Sequence, residues 1–304
     1  MNGSAKLWLL PALLLVAVGL ISFAAQLWWL SGDVEQSDWR APAEYVLEHI
    51  GPEDAINVQP HWTDDPYPYL TEVGDQILRQ QDPLLEDAHR YERIWLLTET
   101  DRLDEAIERM PFAPVETREF GAITVVRLDA PSSSPVATEL LSELDEATVE
   151  RVGDGDERTC NNYSERDRAW YCGKRSKWIY VGEEFLHLGR DPHRCIWAHP
   201  LPNGRTHRIT FPDVKLSERF RLRAGLAERA ARSKRGTDID LRLTVGEEFE
   251  KSKTIPARES SWEPIDFDTS SKAGERRDVV VEVSSPDVKD RFFCFNGWVF
   301  DEAD

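Results

Sequence analysis

One uninterrupted apolar segment, residues 7–30, constrains this chain more than any other feature of its sequence. The segment contains no charged residue and only two polar side chains, Ser22 and Gln26. A helix rises about 1.5 Å per residue, so a segment of this length crosses a hydrocarbon core about 30 Å thick. The apolar part of a cleaved signal is usually about 7 to 15 residues. We therefore predict a transmembrane helix, with a signal peptide cleaved near Ser22-Phe23-Ala24 as the alternative.

The flanks of the apolar segment predict its orientation. Lys6 precedes it, acidic residues follow it, and Trp28 and Trp29 lie where interfacial aromatic residues are common. By the positive-inside tendency, residues 1–37 comprise a cytoplasmic tip, a signal anchor and a stalk, and the rest of the chain faces outward. This pattern predicts a single-pass protein of a bacterial cytoplasmic membrane, with periplasmic or other extracytoplasmic domains.

The charge of the chain narrows its possible partners. A formal net charge of -19 argues against nucleic acid and against adhesion to anionic lipid headgroups. The sequence also contains no GxSxG, HExxH, P-loop or GxGxxG pattern. We predict no cofactor and no complete catalytic constellation.

The cysteines indicate an oxidising compartment. All four lie on the side predicted to be external, where they favour two disulfides with three possible pairings. The four are Cys160, Cys172, Cys195 and Cys294. Zinc binding is the alternative, because four histidines flank Cys195, namely His187, His193, His199 and His207. The chain lacks a CxxC or HxxxH pair, so we predict no metal site.

Residues 38–129 are predicted to form a small α/β domain, because helical and strand patterns alternate along them. Asp38 can cap a helix whose apolar residues recur at three and four positions. The remaining predicted elements are strands at 55–58 and 93–98, a helix from Asp101 and a hairpin that turns at Gly121.

The same region resembles a known family. The sequence DWRAPAEYVLEHIGPEDAINVQPHW, followed by RIWLLT and REFGAITVVRL, is similar to the extracytoplasmic C-terminal region of polytopic glycosyltransferases of the dolichyl-phosphate-mannose mannosyltransferase type. Those enzymes use lipid-linked sugars, have many membrane spans and need an acidic residue in their first external loop. This chain has one predicted span, so none of its residues can take the role of that acidic residue. The resemblance implies an accessory domain or split subunit with a polytopic partner.

The rest of the chain is predicted to be a β-sandwich. Residues 130–176 are interpreted as a proline- and serine-rich linker followed by a cysteine loop. Over residues 177–304, eight or nine short strands alternate with turn signals, which is typical of a jelly roll. The apolar alternation is clearest over 239–245 and 279–283. The predicted class is therefore α+β and multi-domain.

This second half is similar to galactose-binding-like jelly rolls, including the NPCBM type of carbohydrate-binding module. The resemblance lies in the ordered segments Gly225-Leu226, LTVGEE, VVVEV and FCFNGWVF. Because the first and last strands of that fold are neighbours, it implies a disulfide between Cys195 and Cys294. We favour a second one between Cys160 and Cys172, which closes a short polar loop.

Sugar binding is the favoured interpretation of the sandwich. Trp262, Asn296 and Trp298 stand near strand ends, where aromatic faces stack on sugar rings and polar groups bind hydroxyls. Packing within the core is the alternative for both tryptophans.

A second candidate is the loop after the first strand of the α/β domain. There His61, Trp62, Tyr67 and Tyr69 crowd together, in a position where α/β domains commonly place ligand contacts. A lipid-linked sugar or a partner enzyme is the expected ligand. The alternative is a proline-stiffened loop that covers its own core.

Two acidic doublets resemble the metal-binding DxD element of some nucleotide-sugar transferases. They are Asp238-x-Asp240 and Asp266-x-Asp268. On a strand the same spacing places both carboxylates on the solvent face, so we expect a structural role.

Together these patterns predict a non-enzymatic, membrane-anchored accessory or carbohydrate-binding protein of envelope glycan transfer. The alternatives are a subunit of a split lipid-linked-sugar glycosyltransferase and a structural envelope protein with no small ligand.

Overall fold

The computed structural model describes residues 14–23, 34–131, 135–153, 155, 157–172, 179–202 and 204–301. Residues 14–23 are helical, whereas the rest of the predicted anchor, including Trp28 and Trp29, lies outside the described residues. Within the described ranges, no helix is long and apolar enough to cross a membrane. The anchor and its orientation stay predictions.

A four-stranded sheet forms the first half of the structure. Its strands are β1 (Asp54–Gln59), β2 (Arg93–Glu99), β3 (Ala113–Phe120) and β4 (Ile123–Asp129), and its helices are α1 (Arg40–His49), α2 (Leu85–Ala88) and α3 (Leu103–Glu108). The strand order is β1-β2-β4-β3, in which only β1 and β2 pair in parallel. These elements match the predicted helix and strand order of the α/β region.

Both faces of this sheet are covered, which explains why β1 is buried along its whole length. One core packs α1 against the sheet around Trp39, Ile56 and Trp95. The other lies on the opposite face around Leu96 and Phe112.

A β-sandwich forms the second half. Its fourteen strands in the described ranges are β5 (Val136–Glu139), β6 (Thr148–Val152), β7 (Arg158–Thr159), β8 (Asn162–Ser164), β9 (Ala169–Tyr171), β10 (Tyr180–Leu188), β11 (Asp191–Ala198), β12 (Thr206–Lys215), β13 (Arg219–Leu226), β14 (Ile239–Val245), β15 (Phe249–Ile255), β16 (Glu263–Asp268), β17 (Arg276–Ser284) and β18 (Phe293–Phe300). A short helix, α4 (Glu228–Arg232), follows β13.

The strands form two antiparallel sheets. One has the order β16-β13-β18-β11-β10-β9-β8 with β5 also paired to β18, and the other has the order β15-β14-β17-β12-β6-β7. The chain passes repeatedly from one sheet to the other between β12 and β18, as in a jelly roll. Apolar side chains from both sheets, including Phe211, Phe220 and Phe293, fill the space between them.

The sandwich predicted from the sequence is confirmed. The nine strand segments predicted after residue 177 correspond in order to β10–β18. In β14 the residues at alternate positions from Ile239 to Val245 are buried, as their spacing predicts, and the same holds for Val279, Val281 and Val283 in β17.

The segment interpreted as a linker differs from the sequence-based expectation. Residues 130–176 contribute β5 to one sheet, β6 and β7 to the other, and the β8–β9 hairpin to the first. Strands of two to five residues offer too few alternating positions to be recognised without their partners.

Two disulfides crosslink the sandwich, and both have the predicted pairings. Cys160 is joined to Cys172, which closes the loop that contains β8 and β9. Cys195 of β11 is joined to Cys294 of β18, and these two strands pair directly.

The two halves pack against each other through residues 80–90. Nε2 of Gln80 donates to the carbonyl of Pro192 at 3.0 Å, and the amide of Gln81 donates to Asp191 at 2.7 Å. Leu84 and Leu85 add apolar contact with the outer face of the eight-stranded sheet. The α/β half therefore covers part of that face.

Candidate functional site

The outer face of the eight-stranded sheet has a covered part and an open part. The covered part lies under the α/β half, where Leu188, the Cys195–Cys294 disulfide, Trp262 and Trp298 form one apolar cluster. In the part of the chain that the structure describes, the open part lies beyond that cluster, across β10, β11 and the residue that precedes β18.

The three residues predicted in the sandwich belong to the covered part. Trp262 is 9% exposed and its ring stacks on His193 at 5.2 Å, and Trp298 is 1% exposed. Asn296 is fully buried, donates to Glu139 at 2.7 Å and accepts from the amide of Leu141 at 3.2 Å. None of these side chains presents a face on which a sugar could stack.

In the loop after β1, two of the predicted site residues, His61 and Trp62, are in contact. Trp62 is 64% exposed, with the ring of His61 edge-on at 5.2 Å and the guanidinium of Arg102 at 5.5 Å. Tyr67 instead packs against the core beside α1, with Arg79 over its ring at 4.7 Å. Burial raises the pKa of Tyr67. Only Trp62 offers an open aromatic face here.

A row of aromatic rings lies on the open part of the sheet. Tyr180 stacks on Trp197 with ring centroids 5.8 Å apart, and Trp197 stacks on Phe292 at 5.6 Å. The register pairs Trp197 with Gly182, while Val181 and Ile196 point into the core. The row therefore lies on the outward side of the sheet, and we call the depression that it lines the aromatic groove. Trp197 itself is only 5% exposed, so the partly exposed Tyr180 and Phe292 provide the accessible ring surface.

The aromatic groove has a volume of about 420 Å³, within the range of small-molecule sites. Tyr180, Trp197 and Phe292 form its apolar part together with Phe185, Leu186 and Ala227. Its polar lining consists of Glu184, His187, Glu228 and Arg229.

Tyr180 joins the apolar and polar parts of the groove. Its hydroxyl donates to Oε1 of Glu184. Burial, followed by this hydrogen bond to a carboxylate, raises the pKa of Tyr180 well above its usual range. The phenol is therefore neutral, with a hydroxyl that remains able to accept a hydrogen bond from a ligand.

Arg291 holds the segment that carries one wall of the groove. Its buried guanidinium donates to the carbonyls of Ala230, Arg235 and Ala257 at 3.0, 2.7 and 3.0 Å. These bonds tie α4, which carries Arg229, to Phe292 through the adjacent residue of the chain. The wall is thereby preorganised.

The metal and DxD alternatives find no support in the described ranges. No cluster of three or more histidine, cysteine or acidic side chains there could hold a metal ion. Of the acidic doublets, Asp238 accepts from the amide of Ala257, Asp240 from Thr254, Asp266 from Arg221 and Asp268 from Ser270. The doublets have the structural role that the strand spacing predicts.

Tyr180, Trp197 and Phe292 were not among the predicted site residues, although all three lie in or beside predicted strands. The available signal was the alternation of β10 and β11, which separates Tyr180 and Trp197 from the core positions Val181 and Ile196. Alternation identifies a face, but not whether another part of the chain covers it.

Comparison with known proteins gives similarities to solved structures, all at low TM-scores. No family model matches the chain, and no curated protein matches it. Solved structures similar to it include a CBM51 domain from Clostridium perfringens in complex with methyl-galactose (8% identity, 39% of this chain and 81% of that one, TM-score 0.28).

Two further similar structures belong to the same broad type. One is CBM51-2 of Clostridium perfringens ZmpB in complex with GlcNAc (11% identity, TM-score 0.31), where the match covers 62% of this chain and 46% of that one. The other is a family 16 carbohydrate-binding module (13% identity, 41% of this chain and 87% of that one, TM-score 0.25). At these TM-scores we transfer no binding residue or ligand to this chain.

Proposed function

We propose that this protein binds carbohydrate, without catalysis, in the aromatic groove. The observation that carries the proposal is the stacked row of Tyr180, Trp197 and Phe292 beside charged side chains. Each sugar ring has an apolar face that packs on aromatic rings and hydroxyls that need hydrogen-bond partners. Glu184 and Arg229 supply an acceptor and a donor at the edge of the apolar surface.

Titration of the full chain in detergent micelles with a panel of neutral and acidic envelope oligosaccharides, followed by calorimetry, tests this function. We expect saturable binding that Tyr180→Leu and Phe292→Leu each weaken about tenfold, since an aromatic contact contributes about 0.5–1.5 kcal/mol beyond its buried area. Leucine keeps an apolar side chain and removes the ring, which limits damage to the fold.

Trp62→Leu is the matched control, because it removes an exposed aromatic side chain from the α/β half by the same substitution. Binding that survives the groove variants and disappears with Trp62→Leu would move the site to the loop after β1. A folded protein that binds no member of the panel would contradict the function.

Its location is a further proposal, supported by the sequence and by the disulfides. The apolar segment 7–30 is long enough for a membrane anchor, and two disulfides suit an oxidising compartment. We propose that the groove works outside a bacterial cytoplasmic membrane. Protease accessibility of the sandwich in intact spheroplasts checks this topology, and full protection would contradict it.

A role as an accessory to envelope glycan transfer rests on the sequence resemblance of residues 38–129 alone. An accessory role requires a polytopic glycosyltransferase as partner. In a more specific form of this hypothesis, the chain is a subunit of a split glycosyltransferase. Activity of a candidate transferase that is independent of this chain would contradict both forms.

A further inference from the structure

A second cavity continues the aromatic groove. It has a volume of about 430 Å³ and shares Arg229 and Phe292 with the groove. Its other lining residues are Ile179, His199, Pro202, Val288, Lys289 and Asp290. A ligand that fills the groove therefore reaches the second cavity by passing over Phe292. The two spaces together suit a chain of sugars better than a single ring.

The acidic side chains along this path are engaged within the protein. Glu184 accepts the Tyr180 hydroxyl, and Glu228 pairs with Arg232 one turn along α4. Asp290 pairs with a loop arginine at 2.7 Å and also accepts from a serine hydroxyl at 2.7 Å. Glu228 and Asp290 are thus each compensated by an arginine, whereas Glu184 accepts from a neutral phenol and keeps its negative charge.

Two basic side chains on the same path are not compensated in this way. Arg229 is exposed, and its guanidinium lies 5.4 Å from the centroid of the Phe292 ring. Lys289 is exposed on the second cavity. Among the residues that the structure describes, neither of them forms an ion pair with a carboxylate. A guanidinium near an aromatic face can still donate its N–H groups to a carboxylate or a phosphate.

We infer that the site takes an acidic oligosaccharide of at least two sugars, whose carboxylate or phosphate group contacts Arg229 where the two cavities meet. The inference rests on the proposed carbohydrate-binding function and specifies its ligand class. The overall charge of -19 repels anions at long range. Arg229 and Lys289 offset this repulsion locally, because neither forms an ion pair with a carboxylate of the described residues.

Calorimetric titration of the full chain in detergent micelles with matched ligands tests the inference. The ligands are a neutral galactose disaccharide, the corresponding galacturonate disaccharide, a phosphorylated galactose disaccharide and galacturonate monosaccharide. We expect the acidic disaccharides to bind about tenfold more tightly than the neutral one, which corresponds to about 1.4 kcal/mol. We also expect them to bind more tightly than the monosaccharide. The preference should shrink as salt is raised, because exposed charges are screened.

Arg229→Gln should abolish the preference for acidic ligands, so that the acidic and neutral disaccharides bind this variant with equal affinity. Arg242→Gln is the matched control, because it removes the same charge from an exposed arginine of the other sheet that pairs with Glu250. A stronger response to the carboxylate or to the phosphate ligand identifies which oxyanion the site prefers. Equal affinity for neutral and acidic disaccharides, unchanged by Arg229→Gln, would overturn the inference and leave carbohydrate binding intact. If none of the ligands bound to the folded protein, the proposed carbohydrate-binding function itself would be contradicted.

Discussion

The imidazole of His207 lies wholly inside the sandwich. The residue has no exposed surface, and neither ring nitrogen has a hydrogen-bond partner in the described part of the chain. Burial, then the nearby charge of Arg151 and the neighbouring His199, lower the pKa of His207 to about 3. The native state therefore holds this histidine neutral through the range in which an unfolded histidine gains a proton.

This burial predicts acid sensitivity. An unfolded histidine has a pKa of about 6.5, so between about pH 6.5 and pH 3 the unfolded state binds a proton that the native state does not. The free energy of unfolding should fall with decreasing pH in this window, by up to about 1.4 kcal/mol per pH unit for one such group. Urea unfolding of His207→Leu from pH 7 to pH 4 should show a shallower decline than the wild type.

The exposed His187 provides the control, and His187→Leu should keep the steep decline. Burial also lowers the pKa of His199 and His89, which act in the same direction and leave a residual slope in His207→Leu. An identical slope in wild type and His207→Leu would contradict the assignment.

At the level of elements, β13 and the loop before β16 approach each other at a position that admits no side chain. A Cβ built on Gly225 would overlap the backbone carbonyl oxygen of Ser261, which cannot move without displacing its loop. Gly225 belongs to the Gly-Leu pair on which the jelly-roll resemblance partly rests. The physical reason for glycine there is this contact between backbones.

Gly225→Ala should therefore destabilise the sandwich by about 1–3 kcal/mol, the usual cost of forcing extra volume into a packed site. Gly74→Ala is the control, because a Cβ there would meet nothing within 4 Å, and its effect should stay within about 0.5 kcal/mol. Chemical denaturation of both variants measures the difference. Equal stability of the two variants would show that the loop moves aside freely.

At the scale of the whole molecule, buried charges join the two halves. Nη1 of Arg221 and Nε of Arg223 each donate to Oε1 of the buried Glu86 at 3.0 Å. Burial opposes ionisation of Glu86, but the two arginines outweigh it, and its pKa is lowered. Glu139 is similar, since Arg90 and Asn296 outweigh its burial and lower its pKa.

Removal of one carboxylate should weaken this junction. Glu86→Gln is expected to cost about 2 kcal/mol at pH 7, within the range for hydrogen bonds to charged groups. Because the pKa of Glu86 is lowered on folding, its contribution is complete above the unfolded pKa of about 4.3 and is lost as pH falls through the folded value. The stability difference between wild type and Glu86→Gln should thus narrow in acid, as measured by urea unfolding.

Glu105→Gln serves as the control, because the exposed Glu105 of α3 pairs at i,i+4 with Arg109, the residue that follows this helix. Such pairs contribute about 0.3–0.5 kcal/mol. A cost for Glu86→Gln no larger than for Glu105→Gln would mean that the buried charges do not hold the halves together.

Local sequence patterns were enough to predict most of the helices and strands. Alternation placed Ile239, Leu241 and Val281 in the core, because a strand directs successive side chains to opposite faces whatever surrounds it. Both disulfide pairings also followed from the sequence, one from its short loop and the other from the resemblance. The short strands from β5 to β9 were missed, because their pairing depends on partners far along the chain.

The sequence by itself thus determined the nine strands from β10 to β18, the apolar faces of the clearest of them and that the chain contains a sandwich. Only the tertiary structure decided which outward-facing aromatic residues are open. Trp197 and Trp298 lie on neighbouring strands and are both buried. Residues 80–90 pack on the sheet around Trp298, whereas Trp197 lines a groove together with the partly exposed Tyr180 and Phe292. Exposure depends on packing between distant segments, and no local spacing records it.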